Sequence, residues 1–288
     1  MILLRRAVAH IGRGMSLITD VFPTDLPLPA YDVVIPCHNR AHVVADAVAS
    51  VLEQDHPPRR VVVVDDGSTD DSADVIDALA DVHPGAVLAA ALPRKGGASN
   101  ARNVGLALCR AAWVAFLDSD DVWLPGAAGA LLSATLADEV DLIVGHFRRV
   151  EDDGIAQAPE CGWDGGNLRA ALASGGVIGP SWSIVRREAA LRVEGFDPSY
   201  HNCNDWDFYT RLAASGARFA RIEASVALYR TVTGHRLMND GAVGRRNAER
   251  VLAQAYFQGG CSFLRCAACG RRSRALPAGL EGRKSLRL

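Results

Sequence analysis

Between Tyr31 and Leu124, short apolar runs alternate with segments of helical spacing. The apolar runs are "YDVVIPC", "RRVVVVD", "GAVLAAAL" and "AWVAFL"; "AHVVADAVASVLEQ", "ADVIDALADV" and "GASNARNVGLALCRA" separate them. Strand and helix alternating at this spacing build βαβ units. The chain is therefore predicted to be α/β, with a mainly parallel central sheet and helices on both faces. The strands are continuously apolar rather than alternating, as a sheet covered on both sides requires.

Two of these runs end on paired acids, as "VVVVDDGSTDDS" from Val61 and "FLDSDD" from Phe116. Like charges this close repel, and each carboxylate is costly to desolvate. In open parallel sheets, ligands bind outside the carboxyl ends of the strands. Asp65, Asp66, Asp118, Ser119, Asp120 and Asp121 are expected at that rim, with Cys37–Arg40 at a third strand end. A divalent cation, sugar hydroxyls or a base N–H would each give the acids a partner there.

Residues 1–30 read as an N-terminal helix and a proline-rich linker, "VFPTDLPLPA"; 31–240 form the main domain, and 241–288 a basic appendage. Leu4, Val8, Ile11, Met15, Ile18 and Phe22 share a helical face, so the first segment is either a docked helix or an in-plane membrane anchor. Arg5, Arg6 and Arg13 interrupt it, which argues against a signal peptide. From Gly241 on, ten basic residues face two glutamates, a net +8. The whole chain carries −2, which argues against a nucleic-acid partner. Seven scattered cysteines point to a reducing compartment, hence a cytoplasmic protein with peripheral contact at the inner membrane face as an added option. Cys266 and Cys269 form a single C-x-x-C, with Cys261 nearby, a pattern that favours free thiols over zinc.

The ordered blocks "VVIPCHNRAHVVADAVASVLEQ", "VVVVDDGSTDDS", "GGASNARNVGLALCRAAWVAFLDSDDVWLP", "GFDPSY" and "NDWDFYTRLA" resemble the family 2 glycosyltransferases, which have the GT-A fold. The resemblance covers about 32–235. It implies a nucleotide-binding part over 31–125 and an acceptor part over 126–240. It implies that Pro36, Asn39 and Arg40 line the nucleotide pocket, and that Asp66 accepts a hydrogen bond from the base, usually uracil. Arg102 would lie near the nucleotide or its phosphates. Asp118 and Asp120 form the D-x-D, with Asp120 a ligand to Mg²⁺ or Mn²⁺ and Asp118 on the ribose or a metal-bound water. Asp205 would be the catalytic base. The reaction implied is inverting transfer of a sugar, from a UDP-sugar or similar donor, to a hydroxyl of a saccharide, lipid-linked or other acceptor.

Several residues carry a plainer reading. Asp65 suits an Asx-type turn with Gly67 and Ser68, and Asp121 either starts a helix or ligates. Trp206 either stacks on a sugar or packs in the core, and His235 either reaches the diphosphate or serves structure. Asp207 is two residues beyond Asp205, so on a helix it points about 200° away. Asn204 stands where the family pattern has an acid, which leaves open a member that binds nucleotide sugar without turnover. "VVVVDDGSTD" is also compatible with a receiver domain, but Lys95 precedes the D-x-D and the chain is twice too long.

Overall fold

The structure, a computed structural model, describes residues 27–136, 140–151, 154–155, 158–230 and 241–258. The N-terminal periodic segment, His235 and Cys261, Cys266 and Cys269 lie outside the described residues.

β1 (Tyr31–Cys37), α1 (Val44–Leu52), β2 (Arg60–Asp65), α2 (Ser72–Val82), β3 (Val87–Ala91), α3 (Ala98–Leu108) and β4 (Trp113–Phe116) follow in strict alternation. β3, β2, β1 and β4 lie side by side and run parallel. The continuous valines of β1 and β2 are explained by what covers them. Val33, Ile35, Val61 and Val63 face α1, α2 and a later helix, whereas Val34, Val62 and Val64 face α3. Each fully buried valine contributes roughly 1.5–3 kcal/mol. Gly105 lets α3 sit close on β1, since a Cβ there would meet Val34 Cγ1 at 2.2 Å.

β5 (Val122–Trp123), α4 (Ala127–Ala134), β6 (Leu142–Glu151) and β7 (Gly154–Ile155) come next. The stretch 151–180, irregular in its sequence pattern, nevertheless holds β7, α5 (Leu168–Ser174) and the start of a 3₁₀ turn, Pro180–Trp182. β8 (Ser183–Arg186), α6 (Arg187–Arg192), α7 (Asn204–Ala214) and β9 (Phe219–Arg230) complete the domain. β8 joins β4 to β6 by antiparallel pairing, β6 and β9 run parallel, and β5 pairs antiparallel with β9 at the sheet's far edge. α4 covers the same face as α1 and α2; α5, α6 and α7 cover the face of α3. The basic segment opens as α8 (Gly241–Leu252) and α9 (Ala255–Gln258), and Val251 is fully buried on the α7 side. Among the described residues, no helix is long and apolar enough to cross a membrane.

Candidate active site

Because β1, β2 and β4 are parallel, their carboxyl ends share one edge, and the loops that leave them are laced together. β1 runs through Pro36 to Cys37, so Pro36 is a buried strand residue opposite Val64, and the loop begins at His38. Its missing N–H falls on the β4 side, where pairing has already ended at Val34. Asn39, left-handed at φ 53°, accepts from the Thr69 N–H at 2.8 Å and donates its own N–H to Ser68 Oγ. The Arg40 N–H donates to Ser72 Oγ at 2.8 Å, and its guanidinium lies 3.5 Å from Asp120. Asp65 accepts from the Ser68 N–H at 3.2 Å, the Asx-type turn. Asp66, 3 % exposed, accepts from the Gly96 N–H at 2.6 Å and the Gly97 N–H at 2.9 Å. That carboxylate therefore fastens the loop between β3 and α3 against the end of β2.

Arg102 is the hub of the site. It sits on the buried face of α3, and its guanidinium donates to Asp118 Oδ1 at 2.5 Å and to Asn204 Oδ1 at 3.2 Å. It also lies over the Phe196 ring at 5.1 Å. Burial alone would lower its pKa; the Asp118 charge and hydrogen bond more than offset this, and Asp205 adds to them. Among the described residues, the hydrogen-bond partners of Arg102 are thus two protein groups, one at the end of β4 and one at the start of α7. Asn204 fills its role with a carbonyl oxygen, so that role needs no charge.

Asp205 lies in the first turn of α7, where the helix N-terminus favours an anion. Desolvation nevertheless holds its carboxyl above the usual range, against the opposing pull of the Trp206 N–H and of Arg102. Asp207 points elsewhere. It bonds Arg211 Nε at 2.8 Å and accepts from Gln254 at 2.7 Å, 2 % exposed. Trp206 packs in the core and donates its indole N–H to Leu172 O at 2.7 Å, which removes it as a sugar platform.

Asp121 starts no helix. It is 1 % exposed and brackets two distant elements, accepting from Ser181 Oγ at 2.6 Å and the Arg230 N–H at 3.0 Å. Burial, with Asp118 and Asp120 close by, pushes its pKa well above the carboxylate range. Ser181 was not singled out by sequence. Its hydroxyl also accepts from the Asp118 N–H at 3.2 Å, and so sets the main chain of the D-x-D. Nothing in "GPSW" except a turn-forming proline marks it. Tyr209 was missed as well; it hydrogen-bonds Ser183 at 2.8 Å behind Asp205.

No group of three or more His, Cys, Asp or Glu side chains among the described residues is gathered to cage a metal ion. Two carboxylates, Asp118 and Asp120, stand at the strand end, 33 % and 16 % exposed at the side chain. This donor set fits Mg²⁺ or Mn²⁺ held jointly with a substrate diphosphate, since such ions are held by one or two carboxylates plus phosphate oxygens. It does not fit an all-protein cage.

A parallel half-sheet with acids at its carboxyl edge, joined to a mixed extension packed against α7 with its further acid, is a GT-A type arrangement. The chain belongs to glycosyl transferase family 2, whose model matches residues 32–190. Succinoglycan biosynthesis protein ExoU of Rhizobium meliloti (strain 1021) is 33 % identical over 222 residues, 72 % of this chain and 62 % of the relative. The chain thus spans less than two thirds of that relative. S. aureus TarS 1-349 in complex with UDP-GlcNAc superposes with a TM-score of 0.63 at 19 % identity, over 78 % of this chain and 67 % of that one. The mannosyltransferase PcManGT from Pyrobaculum calidifontis, in complex with GDP-Man and Mn²⁺, gives 0.58 at 21 % identity, over 80 % and 63 %. These two likenesses are of fold.

Proposed function

We propose that the chain transfers a sugar from a nucleotide-diphosphate donor, a UDP-sugar, to a hydroxyl of a saccharide or lipid-linked acceptor, with inversion and with Mg²⁺ or Mn²⁺ bound. One observation carries this reading: Arg102 ties the D-x-D at Asp118 to Asn204, the neighbour of Asp205, so that donor-side and base-side carboxylates form one site. The family membership, the relative in succinoglycan biosynthesis and the nucleotide-sugar complexes of the neighbours support it.

In this reading Asn39 and Arg40 shape the nucleotide pocket with Asp66, and Asp118 and Asp120 hold the metal. A bound divalent ion neutralises charge on the departing diphosphate. Asp205 takes the proton from the acceptor hydroxyl, which attacks the anomeric carbon in line and expels the nucleoside diphosphate. Arg102 keeps the two sides in register and favours the ionised form of Asp205.

The test is a panel of nucleotide sugars, with UDP, GDP and TDP titrated in the presence and absence of Mn²⁺. UDP binding that needs Mn²⁺ and weakens in Asp120→Asn is expected, together with sugar transfer or slow donor hydrolysis. Binding equal with and without metal, and equal in Asp120→Asn, would overturn the metal assignment. A preference for GDP would overturn the donor assignment.

A further inference from the structure

The last residues of the loop that leads into α7, 199–202, are held from α8. Asn247, 5 % exposed, donates to Asn202 Oδ1 at 2.6 Å and to Asn202 O at 3.3 Å. Arg250 donates to Ser199 O at 3.1 Å and Ser199 Oγ at 2.7 Å, lies over the Tyr200 ring at 3.9 Å, and also bonds Asn247 Oδ1 at 3.2 Å. Beyond the end of α8, Gln254 donates to Asp207. α8 lies in contact with the loop: a Cβ on Gly244 would stand at ordinary contact distance, 3.4 Å, from Asn202 Nδ2.

The next residue, Cys203, is left-handed at φ 56° and directly precedes α7. A side-chain-bearing residue there costs roughly 1–2 kcal/mol and persists only when its surroundings over-determine it. The Asn247 and Arg250 contacts to residues 199–202 supply that determination. The turn at Cys203 in turn fixes the direction of the first turn of α7, and with it the aim of Asp205 two residues on.

We infer that Asn247, with Arg250, is a positioning residue for Asp205. The segment that reads in sequence as a basic appendage thus begins with the brace of the base-bearing helix. The inference rests on the proposed role of Asp205 for its kinetic consequence, but the brace itself is testable without it.

Asn247→Ala and Arg250→Ala are compared with the unaltered chain in three measurements: melting temperature, transfer kinetics, and backbone hydrogen exchange at residues 203–207. Arg250 is exposed, so that variant is expected to fold even if Asn247→Ala does not. Misplacing a catalytic group by about 1 Å can cost on the order of 100-fold, so kcat is expected to fall by roughly 10–100-fold while donor KM holds. Exchange at 203–207 is expected to quicken in both variants while the strands of the parallel half-sheet stay protected. Unchanged exchange at 203–207 in a folded variant, or kcat and donor KM altered together, would overturn the inference. Absence of transfer by the unaltered chain with every nucleotide sugar would count against the proposed function, and the exchange arm would still decide the brace.

Discussion

The guanidinium of Arg102 meets Asp118 Oδ1 at 2.5 Å, pinning the end of β4 to the buried face of α3. Removing one member of a buried ion pair leaves the other uncompensated, at a cost of about 3–5 kcal/mol. Arg102→Met should destabilise the chain by roughly 3 kcal/mol, the lower end, because the Asp118 side chain is a third exposed. Urea unfolding of the two forms measures this. A loss well under about 1 kcal/mol would mean that the pair is held no better than a surface one.

Asp205→Asn and Asp207→Asn should fail in different ways. General-base catalysis is typically worth 10²–10⁴-fold, so Asp205→Asn should lower kcat by about that factor with donor affinity kept. Asp207→Asn leaves one acceptor for two donors, Arg211 and Gln254, removes the charge opposite Arg211, and should lower the melting temperature instead. The raised pKa of Asp205 means that the base is protonated, and activity lost, as pH falls through a value above the ordinary 3.8. Asn204→Asp adds a like charge beside it and should move that acid limb to higher pH in a kcat/KM profile. A limb that stays in place would separate Asp205 from the titrating group.

Asp121 should reveal itself in the pH dependence of stability. Its folded pKa is raised, so its contribution is fully present below the unfolded value near 3.8 and is lost as pH rises through the folded one. Asp121→Asn carries no such charge and can still accept from the Arg230 N–H. The melting temperature of the variant minus that of the unaltered chain should therefore grow from acidic pH toward neutral. Parallel melting curves over that range would show Asp121 to be ionised at no cost.

Gly105→Ala should destabilise despite alanine's higher helix propensity. The gain in propensity is roughly 1 kcal/mol, while the new methyl would overlap Val34 and push α3 off β1, at about 1–3 kcal/mol. Because α3 carries Arg102, the shift should also weaken donor binding, measurable by nucleotide titration. A variant as stable as the parent, with unchanged binding, would show that the helix can slide freely.

The parallel half of the fold is legible because its strands have no polar face: four valines in a row from Val61 can only be buried on both sides. The opposite direction of Asp207 follows from the helical repeat in the same way. Two strands of the mixed extension are not legible. β5 has two residues, and β9 is half-buried along most of its length, so neither carries a period. Trp206 is equally apolar whether it meets a sugar or the core, and only the position of Leu172 O decides. Ser181 contacts Asp118 and Asp121 from 63 and 60 residues away along the chain, and no local pattern encodes such a meeting.

The fastening of Asp66 to Gly96 and Gly97 has a consequence for how this chain can vary. One end of the lock is a side chain, and the other is two main-chain amides. Substitutions at Arg94 and Lys95, both exposed, leave those amides where they are, whereas a Cβ at position 96 would press on Leu92 Cδ1 at 3.1 Å and position 97, at φ 90°, needs a residue that tolerates that backbone. Lengthening or shortening the 92–97 loop by one residue shifts both amides out of reach at once. Drift in spelling is therefore cheap here, while a change in length is not. An aligned set of relatives should show this loop as variable at positions 94 and 95 and constant in count.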